Sequence, residues 1–197
     1  MMKKRDVTIR LDELEKIFNE ESFRRNKGLG NEVGYHVFDY NECEELQVRA
    51  KITEWLQRYT GDTATFRLDV FDLYDIVIDY LEKKNYIQQF VDFEKEDGFE
   101  EINIAIDEML GMDEDDDENM LLEYISSRVS NHSIVFLVGI GKCFPFLRSH
   151  KVLNNMHQYI DHVPVVMFFP GEYDGQSLQI FSRVKDDNYY RAFKLIE

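Results

Sequence analysis

The chain has 197 residues, 44% hydrophobic and 14% aromatic, enough for one good core in a single domain over 1–197. Its 23 Lys and Arg against 39 Asp and Glu leave a net charge of −16. That balance argues against direct nucleic-acid binding, because neutralising phosphate needs a basic face. Two cysteines, Cys43 and Cys143, exclude a disulfide framework and a four-cysteine zinc site. No stretch approaches the roughly 20 apolar residues of a membrane span. The charged opening, Met1 to Arg10, has no apolar run behind it, so no secretory signal and a cytoplasmic protein are expected.

Leu11, Leu14, Ile17 and Phe18 recur at spacings of three and four, which predicts an amphipathic helix over 11–23. A loop with three glycines follows over 26–34, and GYHVFDY, 34–40, reads as a strand. Leu46, Ile52, Trp55, Leu56 and Tyr59 predict a helix over 42–59, broken by Gly61 and Asp62. TATFRLDV, 63–70, alternates as a strand should. A helical period then covers 73–93 until Gly98 interrupts it, and further helices are expected over 100–110 and 120–129. Between Asp92 and Glu118 stand fourteen acids and one base, Lys95, so this segment carries −13 of the net charge. Asp113 to Glu118 are six consecutive acids, which repel one another and predict an open, solvated loop. That run lacks the alternating ligands, central glycine and distal glutamate of a calcium-binding EF-hand.

SIVFLVGI, 133–140, is a continuous apolar run suited to a strand covered on both faces. A glycine turn, a helix over 146–159 and a second buried strand over 163–169 complete a βαβ unit over 133–169. Residues 178–184 alternate and add an edge strand. Residues 34–70 repeat the strand–helix–strand plan. The expected fold is α/β, an open, mainly parallel sheet with helices on both faces, ATPase-like in look but without a working P-loop.

Gly139-Ile140-Gly141-Lys142 follows a buried strand, as a phosphate-binding loop would. The position five before Gly141 is Phe136, however, and Cys143 stands where a magnesium-coordinating hydroxyl is needed. The turn therefore reads as a tight strand-to-helix connection. His150 and His157 are seven apart, too far along a helix to share one zinc ion, and His36 reads as a satisfied core group. Ser149 and His150 are neighbours, pointing about 100° apart on a helix. Cys43 lies at a helix start, where a thiolate is favoured, but reads better as a small packing residue. No catalytic residue, metal or cofactor is assigned.

The two buried strands run out into FPFLRSH, 144–150, and FPGEYDG, 169–175, at the edge where open α/β sheets receive ligands or partners. DDNYYRAF, 186–193, adds Tyr, Arg and Phe, residue types enriched in interfaces. The alternative is that these residues only make turns and close the core. The candidate partner-binding residues are Phe146, Arg148, His150, Asn154 and Asn155 after the first strand. Pro170, Tyr173 and Asp174 follow the second, and Asp187, Asn188, Tyr189, Tyr190 and Arg191 come last.

FPFLRSHKVLNN, VVMFFPGEYDGQSL and KDDNYYRAFKL, with the earlier VFDYNECEELQVRAKITEWL, resemble the BrxB family, a small component of BREX bacteriophage-defence systems. The resemblance covers most of the chain. It implies a cytoplasmic protein acting in host DNA methylation and phage exclusion. The partner it implies is PglZ, with the PglX methyltransferase and the BrxC ATPase as further ones. It carries over no catalytic residue, which makes a non-enzymatic assembly subunit the expected function. A nucleotide-binding or hydrolysing enzyme using the 139–142 turn, or a DNA-binding accessory protein, is the alternative.

Overall fold

In the computed structural model, residues 5–25, 34–60, 64–112, 119–186 and 192–196 are described. The expectations for the 26–33 loop, the Gly61–Asp62 break, the acid run 113–118 and residues 187–191 lie outside them.

The Asp6 carboxylate accepts from the Thr8 amide and starts α1 (Val7–Asn19), four residues before the expected helix; a separate turn, α2 (Glu21–Arg24), follows. After β1 (Tyr35–Tyr40), Asn41 and Glu44 form a capping box around a short 3-10 turn, Glu42–Glu44, that leads into α3 (Glu45–Tyr59). Val48, Ile52 and Trp55 form the buried face of α3, whereas Leu46 is 77% exposed and Leu56 is also on the surface. β2 (Arg67–Asp72) begins four residues later than the alternation suggested.

Asp72 caps α4 (Leu73–Lys83). The long helix expected over 73–93 is broken at Asn85, which takes φ 58, so α5 (Ile87–Asp97) is a new element. Gly98, at φ 91, separates it from α6 (Phe99–Leu110), and Asn119 caps α7 (Met120–Ser126). β3 (Ser133–Val138) leads through Gly139 to a single turn, α8 (Ile140–Cys143). α9 (Ser149–Met156) is shorter than expected because Arg148 is extended, at φ −97 and ψ 129.

β4 (Val165–Tyr173) continues through Pro170 and Gly171, where the sequence suggested a turn. A Cβ on Gly171 would stand 2.1 Å from the Gln179 carbonyl oxygen, so glycine lets the next strand approach. That strand, β5 (Leu178–Ile180), turns at Phe181 and Ser182 (φ 51 and 52) into β6 (Val184–Asp186), a hairpin in place of one edge strand. β7 (Phe193–Lys194) closes the set.

The sheet is open and mainly parallel, in the order β2-β3-β4-β1-β7, with β5 antiparallel to the end of β4 and β6 to β5. β1 and β2 flank α3 in sequence but not in space, since β3 and β4 lie between them. Strand residues alternate between two cores. Val37, Val135, Leu137 and Met167 meet α4, α6, α7 and α9, while Phe38, Ile134, Phe136 and Phe168 meet α1 and α3. Helices thus cover both faces, as a right-handed crossover demands when the order of strands reverses direction.

One ion pair is sealed inside. The Arg10 guanidinium bonds the Asp39 carbonyl (2.6 Å) and carboxylate (2.8 Å) and the Ile196 carbonyl (3.2 Å). Both charged side chains are at most 1% exposed. The Asp39 carboxylate also accepts from the Tyr173 amide (3.1 Å), with the Lys194 ammonium 3.6 Å away. This knot joins α1, β1, β4 and the C-terminal strand.

Candidate functional site

The strand order places a crevice of about 470 Å³ at the carboxyl ends of the strands, between α3 on one face and α4 and α8 on the other. Ligands of open α/β sheets bind at such a reversal. Two polar clusters line it. Asp72, closing β2, uses Oδ1 to cap α4 and takes the Lys142 ammonium on Oδ2 at 2.6 Å; Asp75 lies 3.3 Å from the same ammonium. Opposite, Glu45 accepts from the Tyr40 hydroxyl and pairs with Arg49 Nε at 2.7 Å.

The glycine turn is built around the first cluster. Gly139 takes φ 79, and a Cβ there would lie 2.2 Å from Asp72 Oδ1. Burial works against the Lys142 charge, but the hydrogen bond and charge of Asp72, then Asp75, outweigh it and raise its pKa. Burial, with Asp72, pushes the Cys143 thiol up to about 12. At neutral pH the turn therefore offers an ammonium already held by carboxylates and a protonated thiol.

The residues expected to bind a partner divide into two groups. Asn155 is buried, its amide bonding the Met112 carbonyl at 3.0 Å, and Pro170 is buried within β4. Tyr173 is 1% exposed, its hydroxyl donating to the Ala192 carbonyl at 2.7 Å, so it holds the C-terminal strand rather than a rim. Arg148 and Asp174 are exposed, and Phe146, His150 and Asn154 are half-buried. The Phe146 ring packs 5.4 Å from that of Phe99. Asp174 turns its carboxylate onto the Gln176 and Ser177 amides (2.8 and 2.7 Å), bonds that lower its pKa. Asp187, Asn188, Tyr189, Tyr190 and Arg191 lie outside the described residues.

Beside Arg148 lies a small, shallow groove of about 30 Å³ that the sequence did not single out. Phe144, Leu147, Leu178, Ile180 and Val184 wall it, and Lys185 stands at its edge. Val184 is 46% exposed, although it belongs to a strand. The only advance signal was an apolar residue at the end of the alternating 178–184 run.

Two other sequence readings change. His36 is in the core, packed by the rings of Phe23 and Phe193 (5.0 and 6.1 Å), but its Nδ1 has no hydrogen-bond partner among the described residues; burial lowers its pKa to about 4. Cys43 is exposed rather than packed. Among the described residues, no three His, Cys, Asp or Glu side chains stand together as metal ligands, and no helix is long and apolar enough to cross a membrane.

The family description "BREX protein BrxB" matches residues 69–195. This chain belongs to the BrxB family. It is 45% identical over 193 residues to the BREX protein BrxB of Bacillus cereus (strain H3081.97), covering 98% of this chain and 99% of that one. To the BREX protein BrxB of Escherichia coli O9:H4 (strain HS) it is 30% identical over 189 residues, covering 95% and 90%. The part matched to BrxB as a family runs from β2 to the C-terminal strand and takes in both the glycine turn and the Arg148 groove.

Proposed function

We propose that within BREX phage defence this chain is a non-enzymatic assembly subunit that binds the PglZ component and so supports host DNA methylation and phage exclusion. The observation that carries this reading is the groove beside Arg148. Of its apolar lining, Val184 is exposed and Phe144 half-buried over a buried floor of Leu147, Leu178 and Ile180, and it carries cationic side chains, Arg148 and Lys185, at the sheet's carboxyl edge. An apolar floor with arginine at its margin is the composition of an interface centre. PglX and BrxC would join through the same complex, and the overall charge of −16 disfavours direct contact with DNA.

Co-purification of the full chain with tagged PglZ tests it. Arg148→Glu and Val184→Glu should each abolish recovery, while Lys142→Ala, in the crevice, should leave it intact. Failure of the native chain to bind rejects the role, and binding by both groove variants rejects the surface.

The crevice at the reversal of strand order favours a second reading, a nucleotide or other small ligand. Around it, however, Glu45, Asp72 and Asp75 outnumber Arg49 and Lys142, a poor setting for a polyphosphate. Calorimetric titration with ATP and magnesium separates the two. A saturable heat that vanishes in Lys142→Ala would replace the assembly reading.

A further inference from the structure

The helical hairpin of α5 and α6 combines exposed apolar residues with uncompensated negative charge. α5 contributes no buried residue. Phe90 and Phe93 lean, half-buried, on the core, whereas Ile87 and Val91, four apart on another strip, are each 39% exposed. Glu94, seven residues from Ile87, continues that strip. On α6, Phe99 and Ile104 are 45% and 52% exposed.

Asp92, Glu94, Glu96, Asp97, Glu100 and Glu101 are interspersed with these apolar residues along the hairpin. Asp92 pairs with Lys95 at 3.0 Å. For the other five, no cation lies within ion-pair distance among the described residues, although Glu100 and Glu101 stand in the first turn of α6, whose free amides favour negative charge. Glu94, Glu96 and Asp97 fall in the last turn of α5, where the helix's free carbonyls already concentrate negative charge, and Asp92 repels Glu96 one turn away. Each of these placements destabilises the helix in isolation. Local rules broken together on one element point to a role outside the fold.

We infer that the α5–α6 hairpin docks a basic amphipathic segment of a partner polypeptide, with lysines or arginines against the carboxylates and apolar side chains over Ile87 and Val91. Charge selects among the occupants. A second copy of this chain would bring the same acids to the contact, and nucleic acids and anionic membranes carry the same sign. A cationic, partly apolar polypeptide complements both features. Ile87 and Val91, the apolar anchors, line no part of the Arg148 groove, so either contact can fail without the other.

The probe is a labelled peptide of leucine and lysine in amphipathic helical order, titrated against the full chain by fluorescence anisotropy at about 0.15 M salt. Binding should weaken about tenfold or more in Ile87→Ser/Val91→Ser, and again in Glu94→Lys/Glu96→Lys/Asp97→Lys. An equal charge reversal on the opposite layer, Asp12→Lys/Glu20→Lys/Glu21→Lys, should change it less than about twofold. A leucine–glutamate peptide should not bind. Equal loss in the opposite-layer variant would reduce the effect to net charge and overturn the proposal. So would undiminished binding in the Ile87/Val91 variant, no binding by the native chain, or self-association through the hairpin in sedimentation.

Discussion

Removing the Asp39 carboxylate tests the account of the sealed ion pair most directly. In Asp39→Ala the Arg10 guanidinium stays inside, at 1% exposure, with the residue-39 and Ile196 carbonyls to bond and, among the described residues, no counter-charge. A buried charge stripped of its partner costs about 3–5 kcal/mol. At about 2.1 cal/mol/K per residue, 197 residues have an unfolding entropy near 0.4 kcal/mol/K, so the melting midpoint should fall by about 7–12 °C. Arg10→Met should cost less, because the Lys194 ammonium remains 3.6 Å from Asp39 and the Tyr173 amide still bonds it. Replacing both together, Arg10→Met with Asp39→Leu, should recover to within about 1–2 kcal/mol of the native chain. Calorimetric scans of the three variants read all of this. A fall below about 3 °C in Asp39→Ala, or a double variant that melts no higher than Asp39→Ala, would refute it.

Three further outcomes follow from the same contacts. His36 is 7% exposed and its folded pKa is about 4, against 6.5 as an ordinary imidazole. The unfolded chain therefore takes up a proton that the folded chain resists. Stability should be fully present above pH 6.5 and fall by up to about 3 kcal/mol as pH drops to 4, a loss that His36→Phe should flatten in urea titrations. Gly139→Ala forces a side chain into φ 79 and against Asp72, disturbing the α4 cap and the Lys142 bond together. It should cost about 2–3 kcal/mol in denaturant unfolding, and a loss below about 1 kcal/mol would contradict the packing described. Tyr173→Phe removes the bond to Ala192 and should speed amide exchange at Leu195, which bonds the Val37 carbonyl (3.1 Å), about fivefold, without affecting PglZ recovery.

Much of this architecture is legible in the residues themselves. SIVFLV and VVMFF are apolar on both faces because helices cover both, and their length and β-branching mark them as parallel strands. Asn85 was a readable helix stop, since Lys83-Lys84-Asn85 places cations and a residue tolerant of positive φ where a helix ends, yet the aromatic period across it masked the break. Pro170-Gly171 misled for the opposite reason. The pair normally signals a turn, but here the glycine is set by the backbone of a strand that folds back over it, a contact the local sequence does not record. Tyr173 has the composition of an interface residue, and only the distant Ala192 carbonyl and Asp39 carboxylate explain its burial. The Arg148 groove escaped notice because its walls come from the α8–α9 connection and the β5–β6 hairpin, which meet only in space.

The seating of β1 between β4 and β7 also sets the order of events during synthesis. Tyr35 aligns with Val165, so the strand emerges from the ribosome long before either neighbour exists. At about 5–20 residues per second, it waits roughly 6–26 s with both hydrogen-bonding margins bare. Any mishap in that interval, whether a stalled ribosome or a shortened message, leaves a sticky apolar ribbon for chaperones and proteases to handle.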